Sequence, residues 1–222
     1  MENLLKLLTF IVQQPVFSYR PHASSMIPGI VSLVLNQVFP LVSLDDDQTG
    51  VTAINQSVSD PEVVSTLFDF YHELLNNNFK YFFGTKPTSS VLVDHEAEFV
   101  KIMESYGRSF VSSRTDIQVY RKNLTSLQVL HQKFNLFDKD YFRRNLWKDF
   151  LSLFLRTFVC KTHELFHDEL ISIIYDLASV DLNSFHSLFL PDFVSNLLMS
   201  TSLSKDISKN SFPASRDLHP FH

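Results

Sequence analysis

Apolar residues between Phe166 and Phe189 recur at the three- and four-residue steps of an amphipathic helix, stop at a short turn, and then recur again. The first run consists of Phe166, Leu170, Ile173, Ile174 and Leu177, and the second of Leu182, Phe185, Leu188 and Phe189. Residues 178–181 form the turn, and Asp181 is a residue type that caps helix N-termini. Pro191 lacks a backbone N–H and is expected to break or kink the second arm. Residues 169–194 therefore predict two helices folded back on each other.

Similar helix pairs are predicted along the whole chain. The first helices of four successive pairs begin near Asn3, Asp60, Asp116 and Glu164. Their spacing of about 55 residues exceeds the roughly 40 to 47 residues of HEAT and armadillo units, as inserted loops would make it. Helix pairs of this length cannot each enclose a core, so they are expected to stack. The sequence predicts an all-α fold, a HEAT- or armadillo-like α-solenoid fragment over residues 1–199 with a flexible polar tail at 200–222. A compact helical bundle is the alternative.

Caps and apolar stripes place the individual helices. The first pair is predicted at 3–14 and 25–39. Residues 59–62, SDPE, form a capping box that opens the next helix, and the asparagines at 76–78 weaken or end it. Later helices are predicted at 94–112, from a cap at Asp116, and at 140–161. Flexible loops are expected at 45–57 and within 85–90.

Composition excludes several classes of protein. Only four glycines occur in 222 residues, so there is no glycine-rich loop to cradle a phosphate, and no nucleotide cofactor is expected. The single cysteine, Cys160, rules out an internal disulfide, which is typical of an intracellular protein. Cys160 follows Phe158 and Val159 and is expected to be a small core residue without catalytic chemistry.

Residues 23–44 carry no charge and are long enough to span a bilayer. Their interior argues against insertion, because Asn36 and Gln37 are adjacent and Pro28 and Pro40 interrupt the segment. A buried helix of an α-helical protein has the same composition. The N-terminus also lacks the pattern of a secretory signal, so no membrane insertion is expected.

Residues 163–167, HELFH, match the H-E-x-x-H pattern in which two histidines one turn apart bind zinc and the glutamate acts as a general base. A working site needs a third ligand, and no glutamate follows Glu169. The favoured interpretation is an ordinary helix with residues 163, 167, 170, 174 and 177 on one face. A zinc metallopeptidase is therefore the least favoured alternative, and no catalytic, metal or cofactor residue is predicted.

Basic residues are concentrated between residues 121 and 161. This stretch contains nine Lys or Arg and three Asp, a balance of +6, whereas the whole chain has a net charge of −5. Such a cluster can steer an acidic protein partner, although a solvated helix face has the same appearance. The overall acidity disfavours nucleic acid as the ligand. The candidate partner-binding residues are Arg121, Lys122, Arg143, Arg144 and Lys148.

Several segments resemble one family. The clearest are YDLASVD at 175–181 and FLPDF at 189–193, joined by FKYFF at 79–83, SYGRSF at 105–110 and the helix at 123–137. These segments resemble the C-terminal region of exportin-six, the actin-exporting branch of the karyopherin (importin-β) superfamily. The resemblance implies a nuclear export receptor that shuttles between nucleus and cytoplasm and binds Ran-GTP together with actin-profilin cargo. A generic α-solenoid scaffold for protein interactions is the alternative.

The resemblance also implies that the chain is a fragment of a longer superhelix. Export requires Ran-GTP and cargo to bind one continuous solenoid cooperatively, so the chain alone is not expected to perform it. The apolar flank of its first helix would lack a preceding repeat and should cause self-association. The residues expected to be exposed there are Leu4, Leu5, Leu8 and Val12.

Overall fold

The computed structural model describes residues 1–14, 21–42, 60–83, 95–112 and 115–209, and no strand occurs among them. The helices are α1 (Glu2–Gln13), α2 (Pro21–Leu33), α3 (Pro61–Phe83), α4 (Glu96–Val111), α5 (Ile117–Phe134), α6 (Asp140–Asn145), α7 (Trp147–Val159), α8 (His167–Ser179), α9 (Leu182–Ser184) and α10 (Leu190–Lys209). The chain divides into two compact units, Met1–Val180 and Asp181–His222. The loops predicted at 45–57 and 85–90 and the last part of the predicted tail, 210–222, lie outside the described residues.

Helices in the first unit pack in two layers. One layer contains the first helix of each predicted pair, with α1 against α3, α3 against α5, and α5 against α8. The other contains the second helices, where a π-turn at Val34–Val38 packs against α4, and α4 packs against α6 and α7. Each helix pair thus forms its hydrophobic core together with the next pair, which is how helical repeats are stabilised. The predicted all-α solenoid is confirmed.

The contacts between α3 and α5 show the repeat directly. Lys122 Nζ lies 3.2 Å from Ser65 Oγ, and Lys133 Nζ lies 2.7 Å from Asn76 Oδ1. Both contacts join residues 57 positions apart, so the two helices run parallel and in register. This agrees with the spacing of about 55 residues expected from the apolar stripes.

The helix predicted at 140–161 is wrong as a single element. It divides at Leu146, whose φ of −128° and ψ of −23° are not helical, into α6 and α7. Backbone bonds from Leu146 N to Phe142 O and from Phe150 N to Leu146 O survive across the break. The change of direction lets the neighbours Leu146 and Trp147 both be buried, whereas adjacent residues of a straight helix point about 100° apart.

The asparagines at 76–78 weaken α3, as the sequence predicts, although the helix runs on to Phe83. They bend it, because Asn78 has φ −121° and ψ 29°. The bend is stabilised by Asn78 Nδ2, which donates to the Val12 carbonyl of α1 across 3.0 Å. The helix begins at an Asp60 cap, whose carboxylate accepts from Glu62 N at 3.0 Å, and Ser59 of the predicted capping box lies outside the described residues.

Neither Pro28 nor Pro191 ends a helix, although a break or a kink is expected at Pro191. α2 passes through Pro28 without ending, and α10 begins one residue before Pro191. A π-turn at Phe185–Phe189 precedes α10, and such a wider turn accommodates the missing N–H of a proline. In the same unit, Asp181 is the predicted cap and accepts from Ser184 N at 3.0 Å.

α1 buries most of the face that the sequence analysis expects to be exposed. Leu5, Leu8 and Val12 are buried, because α3 of the next repeat packs on them. A neighbouring apolar stripe of α1 is exposed instead, and it includes Leu7, 56% exposed, and Phe10, 61% exposed. Of the four residues predicted to be uncovered, only Leu4 is exposed.

The uncharged segment at 23–44 is helical up to Leu41 but is not a regular α-helix throughout. α2 ends at Leu33, and a π-turn and the short 3₁₀ helix Phe39–Leu41 follow. Over the described parts of the chain, every helix is too short or too polar to cross a bilayer.

Candidate partner-binding surfaces

A polar seam joins α3 to α5. We define it by the α3 residues Ser65, Asp69, His72 and Asn76 and the α5 residues Lys122, Ser126 and Lys133. The Lys122 ammonium lies 2.5 Å from the Asp69 carboxylate, which gives the seam an ion pair at one end. The polar residues of α3 fall at steps of four, three and four, the period of one helix face. This spacing of polar residues could have been recognised in the sequence beside the apolar stripe, but the sequence prediction did not include it.

His72 sits at the centre of this seam. Its Nδ1 lies 2.6 Å from Ser126 Oγ, which in turn lies 3.0 Å from the buried Tyr106 hydroxyl. Burial lowers the pKa of His72, and the nearby ammonium groups of Lys122 and Lys133 act in the same direction. The carboxylates Asp69 and Glu73 act in the opposite direction without outweighing burial. His72 is therefore neutral near pH 7.

Four residues of the seam, Asp69, His72, Lys122 and Ser126, line a cavity of about 340 Å³. Phe68 and Val129 supply apolar walls, and Gln118, Arg121 and Asn123 add polar groups. Cavities of this size fall in the range of small ligand sites. Its walls come from two consecutive repeats, so the site depends on the stacking of α3 on α5.

Arg121 and Lys122, two of the predicted partner-binding residues, lie on this cavity. Lys122 is held by Asp69, whereas Arg121 lies 3.8 Å from Glu169 of α8, a separation too long for a hydrogen bond. Gln128 Nε2 strengthens the same α5–α8 junction by donating to the Glu169 carbonyl at 3.4 Å. The two basic neighbours thus face different helices.

The other three predicted residues lie on α6 and α7. Arg144 is bound to Glu96 of α4 across 3.0 Å, and Asn145 donates to the other oxygen of that carboxylate at 2.6 Å. Arg143 and Lys148 are exposed. The predicted basic cluster is therefore spread over three helices, and two of its members, Lys122 and Arg144, join helices that the sequence did not show to be neighbours.

The HELFH segment does not form the helix face that the sequence predicts. His163 has φ −135° and ψ 62°, a 3₁₀ turn spans Glu164–Phe166, and α8 begins only at His167. The two rings have separate aromatic neighbours, with His163 edge-on to Tyr120 at 4.0 Å and His167 against Phe158 at 4.7 Å. The i, i+4 geometry that positions two zinc-binding histidines is absent, because a 3₁₀ turn changes the angle between the residues. Within the described ranges, no cluster of three or more His, Cys, Asp or Glu is arranged to hold a metal ion.

Cys160 is exposed, which corrects its expected place in the core. It follows the last residue of α7, where Lys161 adopts a left-handed φ of 54° and turns the chain toward α8. Six residues of helix place Cys160 about 120° from Phe154 around the axis, so Cys160 lies off the buried face of α7.

These features define a class of protein, a two-layer helical repeat with grooves and ionic surfaces between its repeats. Residues 75–222 match the family described as Exportin-6, C-terminal TPR repeats. The chain is 30% identical over 227 residues to Exportin-6-A of Xenopus laevis and to Exportin-6 of Homo sapiens, covering 99% of this chain and 18% of each relative. Exportin-6 of Dictyostelium discoideum is 22% identical over 221 residues, with the same coverage. No solved structure matches.

The chain belongs to the exportin-6 family of nuclear export receptors. It spans 18% of the length of the curated relatives it matches. The family description names TPR repeats where the sequence predicts HEAT- or armadillo-like ones, and all three are stacked helix pairs. Contacts 57 residues apart between α3 and α5 show a unit longer than the roughly 34 residues of a TPR.

Proposed function

We propose that this chain acts as the C-terminal repeat segment of an export receptor that carries actin-profilin out of the nucleus with Ran-GTP. The main support is the family match, which runs over 99% of the chain at 30% identity. The stacked order of α1, α3, α5 and α8 suits such a role, because a helical repeat transmits contacts from one unit to the next. In this proposal the chain binds proteins, catalyses no reaction, and shuttles between nucleus and cytoplasm.

The proposal assigns different tasks to the five basic residues. Arg143 and Lys148 are exposed on neighbouring helices and are the proposed contacts for an acidic partner surface. Arg121 is the corresponding contact on α5. Lys122 and Arg144 contribute through their ion pairs with Asp69 and Glu96, which hold successive repeats together. Reversing the charge of Lys148 is then expected to slow association in a salt-dependent way, by about threefold to tenfold at low salt.

A graft tests the proposal. The chain replaces the matching segment of human Exportin-6, and nuclear actin is measured in cells that lack the endogenous receptor. The graft is expected to restore export, and the receptor with the segment deleted serves as the control. A graft that folds and reaches the nucleus but leaves actin there would contradict the proposed function.

The isolated chain gives a second test. Binding to actin-profilin is measured with and without Ran loaded with a non-hydrolysable GTP analogue. Because cooperative loading needs both sites on one solenoid, weak binding that does not respond to Ran is expected. Tighter binding of cargo on adding Ran-GTP would assign the complete receptor function to these 222 residues. Failure of the graft combined with binding to many unrelated proteins would favour the generic scaffold.

A further inference from the structure

Large apolar side chains are exposed at the end of the first unit where α4 and α7 stop and α5 begins. The Phe110 ring lies 5.1 Å from both the Tyr120 and the Phe154 ring, so the three helices meet there. Tyr120 also stacks on Phe166, just before α8, at 5.6 Å. Four exposed side chains lie within five residues of these rings, and we call them the apolar rim: Val111, Ile117, Val159 and Leu165. Leu165, at 80%, and Val111, at 72%, are the most exposed large apolar side chains among the described residues. An exposed apolar cluster of this kind is a candidate interaction site.

A cavity of about 320 Å³ lies between the end of α7 and the start of α8, and Val159 of the apolar rim is part of its wall. Phe158 and Leu170 supply further apolar walls, and the rings of His163 and His167 supply aromatic ones. The cavity opens to solvent, because Val159 is 48% exposed and the His167 side chain is 55% exposed. Its volume is at the lower end of the range of ligand pockets, so it suits one large side chain of a partner.

The turn between α7 and α8 gives this cavity a fixed shape. Lys161 adopts a left-handed φ of 54°, and its N–H donates to the Phe158 carbonyl at 3.3 Å. The Thr162 N–H donates to the Thr157 carbonyl, also at 3.3 Å. Together these bonds form a Schellman motif, which satisfies the last carbonyls of α7. The His167 ring lies 4.7 Å from the Phe158 ring, so two walls of the cavity support each other. A preformed site of this kind loses less conformational entropy when a ligand binds.

His163 supplies a hydrogen-bond acceptor on the wall of the cavity. Its Nδ1 lies 2.6 Å from the Thr162 carbonyl oxygen, which can only accept, so Nδ1 carries the proton. In the neutral ring Nε2 is then an acceptor, and the described residues supply no donor for it. A side chain that fills an aromatic and apolar cavity and also donates a hydrogen bond satisfies both features. Tryptophan and tyrosine are the side chains that combine a large ring with an N–H or O–H group.

From these features we propose that the α7–α8 cavity binds one tryptophan or tyrosine side chain of a partner protein. The ring enters between Phe158 and Leu170 and donates to His163 Nε2, and the apolar rim contacts the apolar residues beside it. Lys161 and Glu164 line the cavity, are exposed, and have no ion pair among the described residues. They supply the polar border that surrounds the apolar centre of an interface. An aromatic anchor in a pocket contributes most of the binding energy in many interfaces. This surface lies at the opposite end of α7 from Lys148, and the inference does not depend on Ran-GTP or actin-profilin being the partners.

A peptide library displayed on phage, with twelve random residues, tests the proposal on the full chain. Selection uses the unaltered chain, after peptides that bind a Val159→Trp variant have been removed. Tryptophan at this half-exposed position can fill the cavity from its edge with little effect on folding, which circular dichroism checks. The expected result is a family of peptides that share one tryptophan or tyrosine beside apolar residues. Val194→Trp, on α10 at a similar exposure of 44%, is the matched control and should bind these peptides as the unaltered chain does.

Fluorescence anisotropy of one selected, labelled peptide then locates the contact. Leu165→Glu in the apolar rim is expected to weaken binding by about fivefold or more, whereas Leu198→Glu, at an exposed leucine of α10, should change it by less than about twofold. His163→Phe keeps an aromatic wall but removes the acceptor, and a loss of about threefold to tenfold is expected. Replacing the tryptophan of the peptide by naphthylalanine, or its tyrosine by phenylalanine, removes the donor. In a double-mutant cycle the two losses should not add, because both remove the same hydrogen bond.

Several results would overturn the proposal. One is a selection that yields no peptide preferring the unaltered chain over Val159→Trp, or only peptides without tryptophan and tyrosine. Another is binding that responds equally to Leu165→Glu and Leu198→Glu, or losses that add fully in the double-mutant cycle. A dimer that Leu165→Glu dissociates in analytical ultracentrifugation, without any selected peptide, would show instead that a second copy of the chain covers the apolar rim.

Discussion

Trp147 joins the two last helices of the first unit through one hydrogen bond. Its Nε1–H donates to the Leu177 carbonyl across 2.7 Å, and both residues are buried. Leu177 lies in the last turn of α8, where backbone carbonyls have no partner within the helix. The indole thus satisfies the end of α8 while its rings pack at the start of α7. Removing the N–H should destabilise this junction.

The expected magnitude follows from the buried carbonyl. Loss of its donor costs about 1 to 3 kcal/mol of unfolding free energy, because water cannot replace the indole. Trp147→Phe also removes part of the ring system and leaves a small cavity, so its total cost should reach about 2 to 4 kcal/mol. For a chain of this length, each 1 kcal/mol lowers the melting temperature by about 2 to 4 °C.

The chain contains one tryptophan, which allows a cleaner test. Incorporating the benzothiophene analogue of tryptophan changes residue 147 alone, keeps the bicyclic ring, and replaces the N–H by sulfur. Urea unfolding is followed by circular dichroism at 222 nm, and midpoints are compared because repeat proteins need not unfold in two states. The analogue should lower the midpoint by an amount that corresponds to about 1 to 3 kcal/mol, with Lys148→Gln as the exposed control. An unchanged midpoint with the analogue would refute the reasoning.

Three further outcomes are expected. Because burial lowers the pKa of His72 from its ordinary 6.5, the unfolded chain binds the proton more readily than the folded chain. The stability of the chain should therefore fall as the pH drops below about 6.5 toward the pKa of the folded state. In thermal unfolding, His72→Gln should flatten this pH dependence, and an equal slope in both proteins would contradict the prediction. Leu7→Glu, at an exposed position, should reduce concentration-dependent self-association in analytical ultracentrifugation, and oligomers that persist in this variant would contradict the prediction. Leu5→Glu, at a buried position, should unfold the chain. Elemental analysis should find no stoichiometric zinc, and one tightly bound zinc that disappears when both histidines of 163–167 become alanine would contradict this.

The candidate site shows how far sequence patterns reach. Arg121 and Lys122 could be singled out from charge alone, but Asp69 and Glu169, their partners on α3 and α8, could not. Charge density is a property of one segment, whereas an ion pair between repeats depends on how two helices are aligned. The sequence assigned Asn123 no binding role, and its oxygen, which has no donor among the described residues, could be identified only once Ser109 was placed beside the amide.

Sequence alone determined the elements that depend on neighbours within a turn or two. Asp116, the predicted cap, accepts from Gln118 N at 2.7 Å at the start of α5, and Leu124 and Leu127, which are spaced for one face of a helix, are buried. The repeat spacing could equally be recognised, because each first helix carries its own apolar stripe and α3 and α5 also begin with an aspartate cap. These signals are local, so a single sequence is enough to contain them.

The tertiary structure decided which of two apolar faces is covered and where a helix bends. α1 has apolar residues on more than one side, and only the packing of α3 selects Leu5 and Leu8 over Leu7 and Phe10. The division of the helix at Leu146 is likewise absent from the local pattern, whereas the asparagines at 76–78 did indicate the bend in α3. Local propensity differs by a few tenths of a kcal/mol between such alternatives, whereas burying one large side chain contributes about 1.5 to 3 kcal/mol. Packing between repeats therefore outweighs the local pattern wherever the two disagree.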